Sequence, residues 1–206
     1  RVASRGLGDV YKRQKQSIPE EISSLLNEEE IIMFQKLQIK IKELNNKTNL
    51  TRLINCDDYW VSQVFDSIWP FKTFPNVKFD KKKFLDIGSG CGFPGLAYAI
   101  THPTSEIYLV DSSKKKTDAL KILIKEINFK NNIHVINDRI ENLAHQSSMR
   151  NSFNIATTRA VSNPSTVSEY ILPMLKKEGL GVLYCGKWTD KELSLIHISE
   201  PTRRYS

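Results

Sequence analysis

The stretch Asp86-Ile87-Gly88-Ser89-Gly90-Cys91-Gly92-Phe93-Pro94-Gly95 decides the reading of this chain. It follows a short apolar run, Phe84–Ile87, which reads as a β-strand. A small-residue segment over Gly95–Ile100 then reads as a helix. A glycine-rich turn between a strand and a helix lets a ligand come close to the backbone. The dinucleotide-binding fingerprint G-x-G-x-x-G is met by Gly88 and Gly90, but its last position is Phe93. The pattern present is D-x-G-x-G-x-G.

Working outward, strands and helices alternate. Glu106–Val110 reads as a second strand ending at Asp111, and a long helix follows from Lys114 to Asn128. Ile133–Ile136 and Phe153–Ala156 read as the third and fourth strands. A helix is expected from Pro164 to Lys177, and a fifth strand over Gly181–Cys185. Alternation of this kind predicts an α/β fold with a mostly parallel, doubly wound sheet.

Upstream of the sheet the periodicity is helical. Ser17-Ile-Pro-Glu20 has the form of a capping box. Asn27, ahead of three glutamates, can cap a helix with Ile31, Phe34, Leu37, Ile41 and Leu44 on one face and its end at Asn45-Asn46. Asp57 or Asp58 can cap a third helix carrying Trp60, Val64 and Ile68, with Pro70 and Pro75 in the loop after it. Residues 17–75 therefore read as an N-terminal helical extension.

Composition sets the outer limits. The chain has 206 residues, 40% hydrophobic and 26% charged, which is ordinary for a globular protein. No apolar run approaches the roughly 18 residues of a membrane span, and no signal-peptide core stands near the start. Cys56, Cys91 and Cys185 are far apart in sequence, which fits neither a metal quartet nor a disulfide framework and points to the reducing cytoplasm. His102, His134 and His145 match no metal spacing and read as structural or surface residues.

The net charge of +7 invites a nucleic-acid reading, but the two ends distort it. Residues 1–14 read forward and 193–206 read backward admit complementary codons at all fourteen pairs. Gln14 as CAG gives CTG for Leu193, Asp9 as GAT gives ATC for Ile198, and Gly6 as GGG gives CCC for Pro201. Both ends resemble a translated transposase adapter of the kind used to prepare sequencing libraries, and they are set aside from fold reasoning. Without them, 24 basic residues stand against 21 acidic ones over 178 residues. RNA binding must then rest on local clusters.

The D-x-G-x-G-x-G pattern resembles motif I of the Rossmann-like, class I S-adenosylmethionine-dependent methyltransferases. That cofactor carries a cationic sulfonium and an amino-acid moiety in place of a pyrophosphate, which favours a carboxylate such as Asp86. Asp111, 23 residues after Gly88, can accept hydrogen bonds from both ribose hydroxyls. Asn49-Leu-Thr51, Phe65-Asp-Ser67, Gly88 to Gly95, Asp111-Ser-Ser-Lys-Lys-Lys116, Arg139-Ile-Glu141 and Thr158-Arg-Ala160 together resemble one family. That family is the bacterial 16S rRNA guanine-N7 methyltransferases, RsmG or GidB, and the likeness runs from Asn27 to Lys187.

The resemblance implies roles. Gly88, Gly90 and Phe93 would contact adenosylmethionine together with Asp86. Asp111, Ser112 and Ser113 would form the ribose-proximal turn, and Ile140 with Glu141 would flank the adenine. Arg159 would stand at the mouth of the site as cofactor contact and catalytic residue. Lys114, Lys115, Lys116, Arg139 and Lys187 are candidate contacts to substrate RNA, with a solvated charged face as the alternative for the lysine run. Gly186-Lys187-Trp188 departs from the Lys-Gly that the family places after its fifth strand. The family continues past this point, so the final strands of the sheet are expected to be missing.

The expected organisation is adapter-like sequence at 1–14, a helical extension at 15–78, an S-adenosylmethionine-binding methyltransferase domain at 79–192 and adapter-like sequence at 193–206. The expected partner is 16S rRNA or the small ribosomal subunit, met by a cytoplasmic monomer without metal or membrane. Two other functions fit the motifs. One is a methyltransferase acting on a small molecule or protein, and the other is a non-catalytic adenosylmethionine-binding module.

Overall fold

A computed structural model describes residues 18–55, 57–73, 78–159 and 169–184. Its centre is a five-stranded, wholly parallel sheet with strand order β3-β2-β1-β4-β5. The strands are β1 (Lys83–Ile87), β2 (Glu106–Val110), β3 (Ile133–Ile136), β4 (Phe153–Arg159) and β5 (Leu175–Tyr184). β1 lies between β2 and β4, with Asp86 opposite Leu109 on one side and Thr157 on the other. The chain first winds outward to β3 and then restarts beyond β1 at β4. That reversal makes the carboxyl end of β1 the topological switch point, where open α/β sheets bind ligands.

The helices are α1 (Glu20–Ser23), α2 (Glu28–Thr48), α3 (Asp66–Thr73), α4 (Gly95–Thr101), α5 (Lys114–Ile127) and α6 (Ile140–Ala144). A π-helical segment, Asp58–Phe65, runs directly into α3. Each face of the sheet is covered. Phe84, Ile107, Leu109 and Ile155 pack with residues of α2, α4 and α5 and of the π-helical segment, while Leu85, Ile87, Val110, Phe153 and Ala156 pack with α6 and Ile171. Burial on both faces explains why the strands read as near-continuous apolar runs.

The helical extension is not a separate unit. Trp60, Val64 and Ile68, read as one stripe from their spacing of four, are all fully buried in the same cluster as Phe84 and Leu96. Asn27 forms a reciprocal capping box with Glu30, at 2.9 and 2.8 Å. Asn131 ties α4 to the start of β3 by donating to the carbonyls of His102 and Ser105, at 2.8 and 3.0 Å. His102 stacks on Tyr98 at 4.2 Å between centroids, and burial holds its imidazole down to about 4, so it stays neutral.

Several boundaries differ from expectation. Helix α1 has Pro19 at its N-cap and no side-chain cap there. Helix α2 runs past Asn45-Asn46 to Thr48, where Asn49 takes the left-handed cap at φ 47°. Asp57 makes no side-chain cap, and Pro70 lies inside α3, not in a loop. At position 70 the ring is only the fifth residue of α3 and its missing N–H falls next to the π-helical turn, where the ladder already shifts register. Lys176 and Lys177 are in strand β5, not at the end of a helix, in the irregular stretch between Leu175, which pairs with Phe153, and Leu180, which pairs with Ile155. β4 is longer than expected and carries Arg159 as its last residue. Pro75, Pro164, Cys185 and any strand after Tyr184 lie outside the described residues.

Candidate functional site

At the end of β1 the backbone turns through Gly88 and Gly90 with φ of 75° and 56°, a region open to glycine at little cost. The N–H groups of Gly88 and Ser89 both donate to the carbonyl of Val110, at 2.8 and 3.0 Å, so the loop is stitched to the end of β2. Gly95 opens α4 against the sheet. A Cβ there would lie 2.2 Å from Leu109 Cδ2 and 2.8 Å from Asp86 Oδ2, so any larger residue forces its neighbours to shift.

Asp86 lies beneath the loop and is fully buried. Its Oδ2 accepts the Gly95 N–H at 3.0 Å and its Oδ1 accepts the Thr157 hydroxyl at 2.9 Å. Burial pushes its carboxyl up to about 6, against the lowering effect of those hydrogen bonds. Asp86 therefore pins the glycine turn to β4 and α4 and is not on the cavity wall. Expected as a direct cofactor contact, it is placed by the structure behind the lining residues. Each of its oxygens accepts a hydrogen bond within the fold, and neither faces the cavity.

Asp111 does stand on the wall. Its Oδ2 accepts the Gly90 N–H at 2.9 Å and its Oδ1 accepts the Ser113 N–H at 2.8 Å. A carboxylate has about four acceptor positions, so two remain for a diol. Lys116 approaches it at 3.9 Å, and Asn137 braces the turn by donating to the carbonyls of Asp111 and Ser112, each at 3.0 Å. Ser113 serves as the N-cap residue of α5 and is not among the lining residues.

These elements surround a cavity of about 480 Å³. Gly88, Gly90 and Phe93 line its loop side, Asp111, Ser112 and Lys116 its β2 side, and Asp138, Arg139, Ile140 and Glu141 the start of α6. Leu50, Leu53, Gln63, Cys91, Arg159 and Tyr170 also line it. The volume falls within the range of roughly 300–1,000 Å³ usual for small-ligand sites. A glycine cradle, a carboxylate with two open acceptor positions and an apolar step at Ile140 suit a ligand with an adenosine moiety. The residues fit S-adenosylmethionine in that sense.

Arg159, at the end of β4, reaches across to the helical extension. Its guanidinium donates to Gln63 Oε1 at 3.1 Å and to the Ser62 carbonyl, and it faces Asp66 at 3.6 Å. Phe93 is both wall and core, meeting Tyr59 edge-on at 5.7 Å. Cys91 is a free, buried thiol whose titration is pushed up by burial. Lys115 is exposed and does not line the cavity, so the structure separates it from Lys116 and Arg139, which do. Lys187 lies outside the described residues. Among the described residues no cluster of potential metal ligands occurs, and no helix is long and apolar enough to cross a membrane.

Sequence reasoning missed Gln63, Leu53, Asp138 and Tyr170. Gln63 left a signal. It falls three residues after Trp60 and so shares the buried face, where a polar side chain must find partners. Asp138 belongs to a connection and Tyr170 to a helical turn, and only the tertiary fold brings either to the cavity.

Comparisons with known proteins bear on this geometry. Residues 30–201 match the family described as GidB, rRNA small subunit methyltransferase G. A protein of Prochlorococcus marinus strain MIT 9312 named ribosomal RNA small subunit methyltransferase G is 88% identical over 179 residues, covering 87% of this chain and 76% of that protein. One of the same name from Prochlorococcus marinus strain SARG is 39% identical over 184 residues, covering 88% and 72%. Among solved structures, a mutant of MtNAS matches with a TM-score of 0.54 at 9% identity, covering 78% of this chain and 62% of that one, which is a likeness of fold alone.

Proposed function

The chain belongs to the GidB family of rRNA small subunit methyltransferases, and from that premise we propose that it transfers the methyl group of S-adenosylmethionine to N7 of a guanine in 16S rRNA. The fold is that of the Rossmann-like class I methyltransferases, and S-adenosylmethionine is the cofactor of this family. One observation carries the reading. The glycine turn, the Asp111 carboxylate and Arg159 line one cavity.

S-adenosylmethionine, when bound, supplies a methyl group already activated by a sulfonium. Guanine N7 has a lone pair and no proton, so it attacks in line without a general base. What the protein must supply is orientation and electrostatics. The Asp111 carboxylate and the loop backbone would hold the nucleoside part, with Ile140 and Glu141 beside the base. Arg159 would act at the acceptor end, as the catalytic residue that meets guanine or its flanking phosphate. N7 lies on the major-groove edge, which is hard to reach in A-form RNA, so the target should be a splayed or loop nucleotide. Lys116 and Arg139 at the rim, with exposed Lys115 beyond them, would meet phosphates.

Within this reading residues 15–78 are a helical extension and 79–192 the cofactor-binding domain, acting as a cytoplasmic monomer. Residues 1–14 and 193–206 are taken as foreign sequence. The test is mass spectrometry of nuclease fragments of 16S rRNA after incubation with protein and S-adenosylmethionine. One added methyl on one guanine, released by the mild depurination typical of N7-methylguanine, is the expected result. No methylated guanine on either naked rRNA or small subunits would overturn the proposal.

A further inference from the structure

Gln63 is the most connected polar side chain at the acceptor end of the cavity. It comes from the π-helical segment, is 4% exposed and lines the wall. Its amide meets three separate parts of the chain. Oε1 accepts from Arg159 Nη1 at 3.1 Å, and Nε2 donates to Thr51 Oγ1 at 3.0 Å and to Cys91 Sγ at 3.5 Å. The chemistry of these partners fixes the amide's orientation. Turning it over would set its N–H groups against guanidinium N–H groups, which are donors only.

The choice of a neutral partner matters. A carboxylate at this place would hold the guanidinium equally well but would cancel its charge. The Ser62 carbonyl, the second partner of Arg159, is also neutral. Asp66 faces it at 3.6 Å with a side chain that is 51% exposed, so water screens much of that attraction. The only other acid that feels its charge among the described residues near it is Asp86, buried behind the wall and making no hydrogen bond to it. Arg159 is thus held in place by dipoles, and its positive charge stays available to whatever enters the cavity.

We propose that Gln63 is a positioning residue for methyl transfer, fixing the Arg159 guanidinium at the acceptor end through a neutral hydrogen bond while its own N–H groups lean on Thr51 and Cys91. This rests on the methyltransferase reading given above. It adds that the helical extension aims the charge that receives the RNA.

The test uses the full chain and two variants. Gln63→Leu keeps the packing volume and removes all three hydrogen bonds. Gln63→Glu keeps an acceptor for Arg159, neutralises its charge and loses both donations. In each, kcat on 16S rRNA should fall at least 10-fold while the Kd for S-adenosylmethionine stays within about threefold, as expected for loss of one positioned group. A readout free of activity accompanies this. The Arg159 guanidinium 15N signals should show slow rotation in the unsubstituted chain and fast rotation in Gln63→Leu. A kcat within twofold of the parent in both variants would overturn the proposal. So would cofactor affinity that falls in step with kcat, which marks a collapsed wall, or Arg159 rotation unchanged by Gln63→Leu. If the unsubstituted chain methylates no rRNA, the methyltransferase reading fails instead, and the rotation measurement still decides whether Gln63 holds Arg159.

Discussion

Asp86→Asn separates a loop pin from a cofactor contact. The folded carboxyl titrates at about 6, against 3.8 for the free group. The native state therefore holds this proton more tightly than the unfolded chain does. Between about pH 4 and 6 the native state binds more protons, so stability falls as pH rises, and the whole penalty is present above about 6. Two units and a fraction at 1.36 kcal/mol each make this about 3 kcal/mol. The asparagine amide can replace every contact. Its Oδ1 can accept from the Gly95 N–H and its Nδ2 can donate to the Thr157 hydroxyl. That hydroxyl then donates to the Leu85 carbonyl, 3.3 Å away. The variant has no charge to bury. Urea unfolding followed by circular dichroism from pH 4 to 8 should show its stability, relative to the parent, rising by about 2.5 kcal/mol between pH 4 and 7. Affinity for S-adenosylmethionine should remain within a few-fold. A stability difference that is flat across this range would refute the burial argument. A loss of cofactor affinity beyond 10-fold in a variant that is still folded would return Asp86 to the cavity wall.

Three further outcomes are expected. Gly95→Ala should lose about 1–3 kcal/mol from overpacking, since the new methyl would collide with Leu109 in a filled core, and a unchanged urea midpoint would show that α4 can shift away. Lys115→Ala should lower the slope of log affinity for RNA against log salt by about 0.7–0.9 with no effect on cofactor binding, and an unchanged slope would make Lys115 a solvated surface charge. Cys91 should resist iodoacetamide at pH 8 in the folded protein and react once denaturant is added, because burial both shields it and disfavours its thiolate. Labelling of the Cys91 peptide at the rate of a free thiol would contradict that.

What the sequence revealed depended on how local the cause was. Glu106–Val110 and Ile133–Ile136 were legible to the residue, because each is a short apolar run bounded by turn residues. Lys114 to Asn128 was equally clear, with Asn128 at φ 59° as its left-handed cap. The segment from Leu175 to Lys177 was misread because nothing local marks it as a strand. Leu175 pairs with Phe153, some twenty positions earlier, and Lys176 and Lys177 lie in the irregular stretch before pairing resumes at Leu180 opposite Ile155. The π-helical turn was hidden for another reason. Trp60, Val64 and Ile68 at spacings of four fit an ordinary helix and a wider one alike. In the site, Gly88, Gly90 and Asp111 were readable as a motif. The role of Asp86 was not, because the same D-x-G spacing serves a carboxylate that faces a ligand and one that lies beneath the loop. Only the partners Thr157 and Gly95 decide between them.

The boundary between helical extension and sheet domain is therefore one of chain topology and not of energy. One cluster of buried side chains runs without a break from Ile22 and Phe34 through Trp60 to Phe84, Leu96 and Leu120. Tyr59 donates to the Phe34 carbonyl at 2.7 Å, and Tyr184 at the end of β5 donates to the Ser67 carbonyl at 2.9 Å, so backbone groups of the extension are bonded from inside the extension and from the sheet. The same extension contributes Leu50, Leu53 and Gln63 to the cavity that the glycine turn and Asp111 open from the other side. Division of labour follows from this placement. The sheet's carboxyl edge presents the groups suited to a nucleoside, as the switch point of such a fold dictates. The extension presents the groups next to Arg159, where the proposed reading puts the second substrate. Packing the two through a shared core sets their separation to within the tolerance of close-packed side chains, which is the tolerance that an in-line transfer between two bound molecules requires.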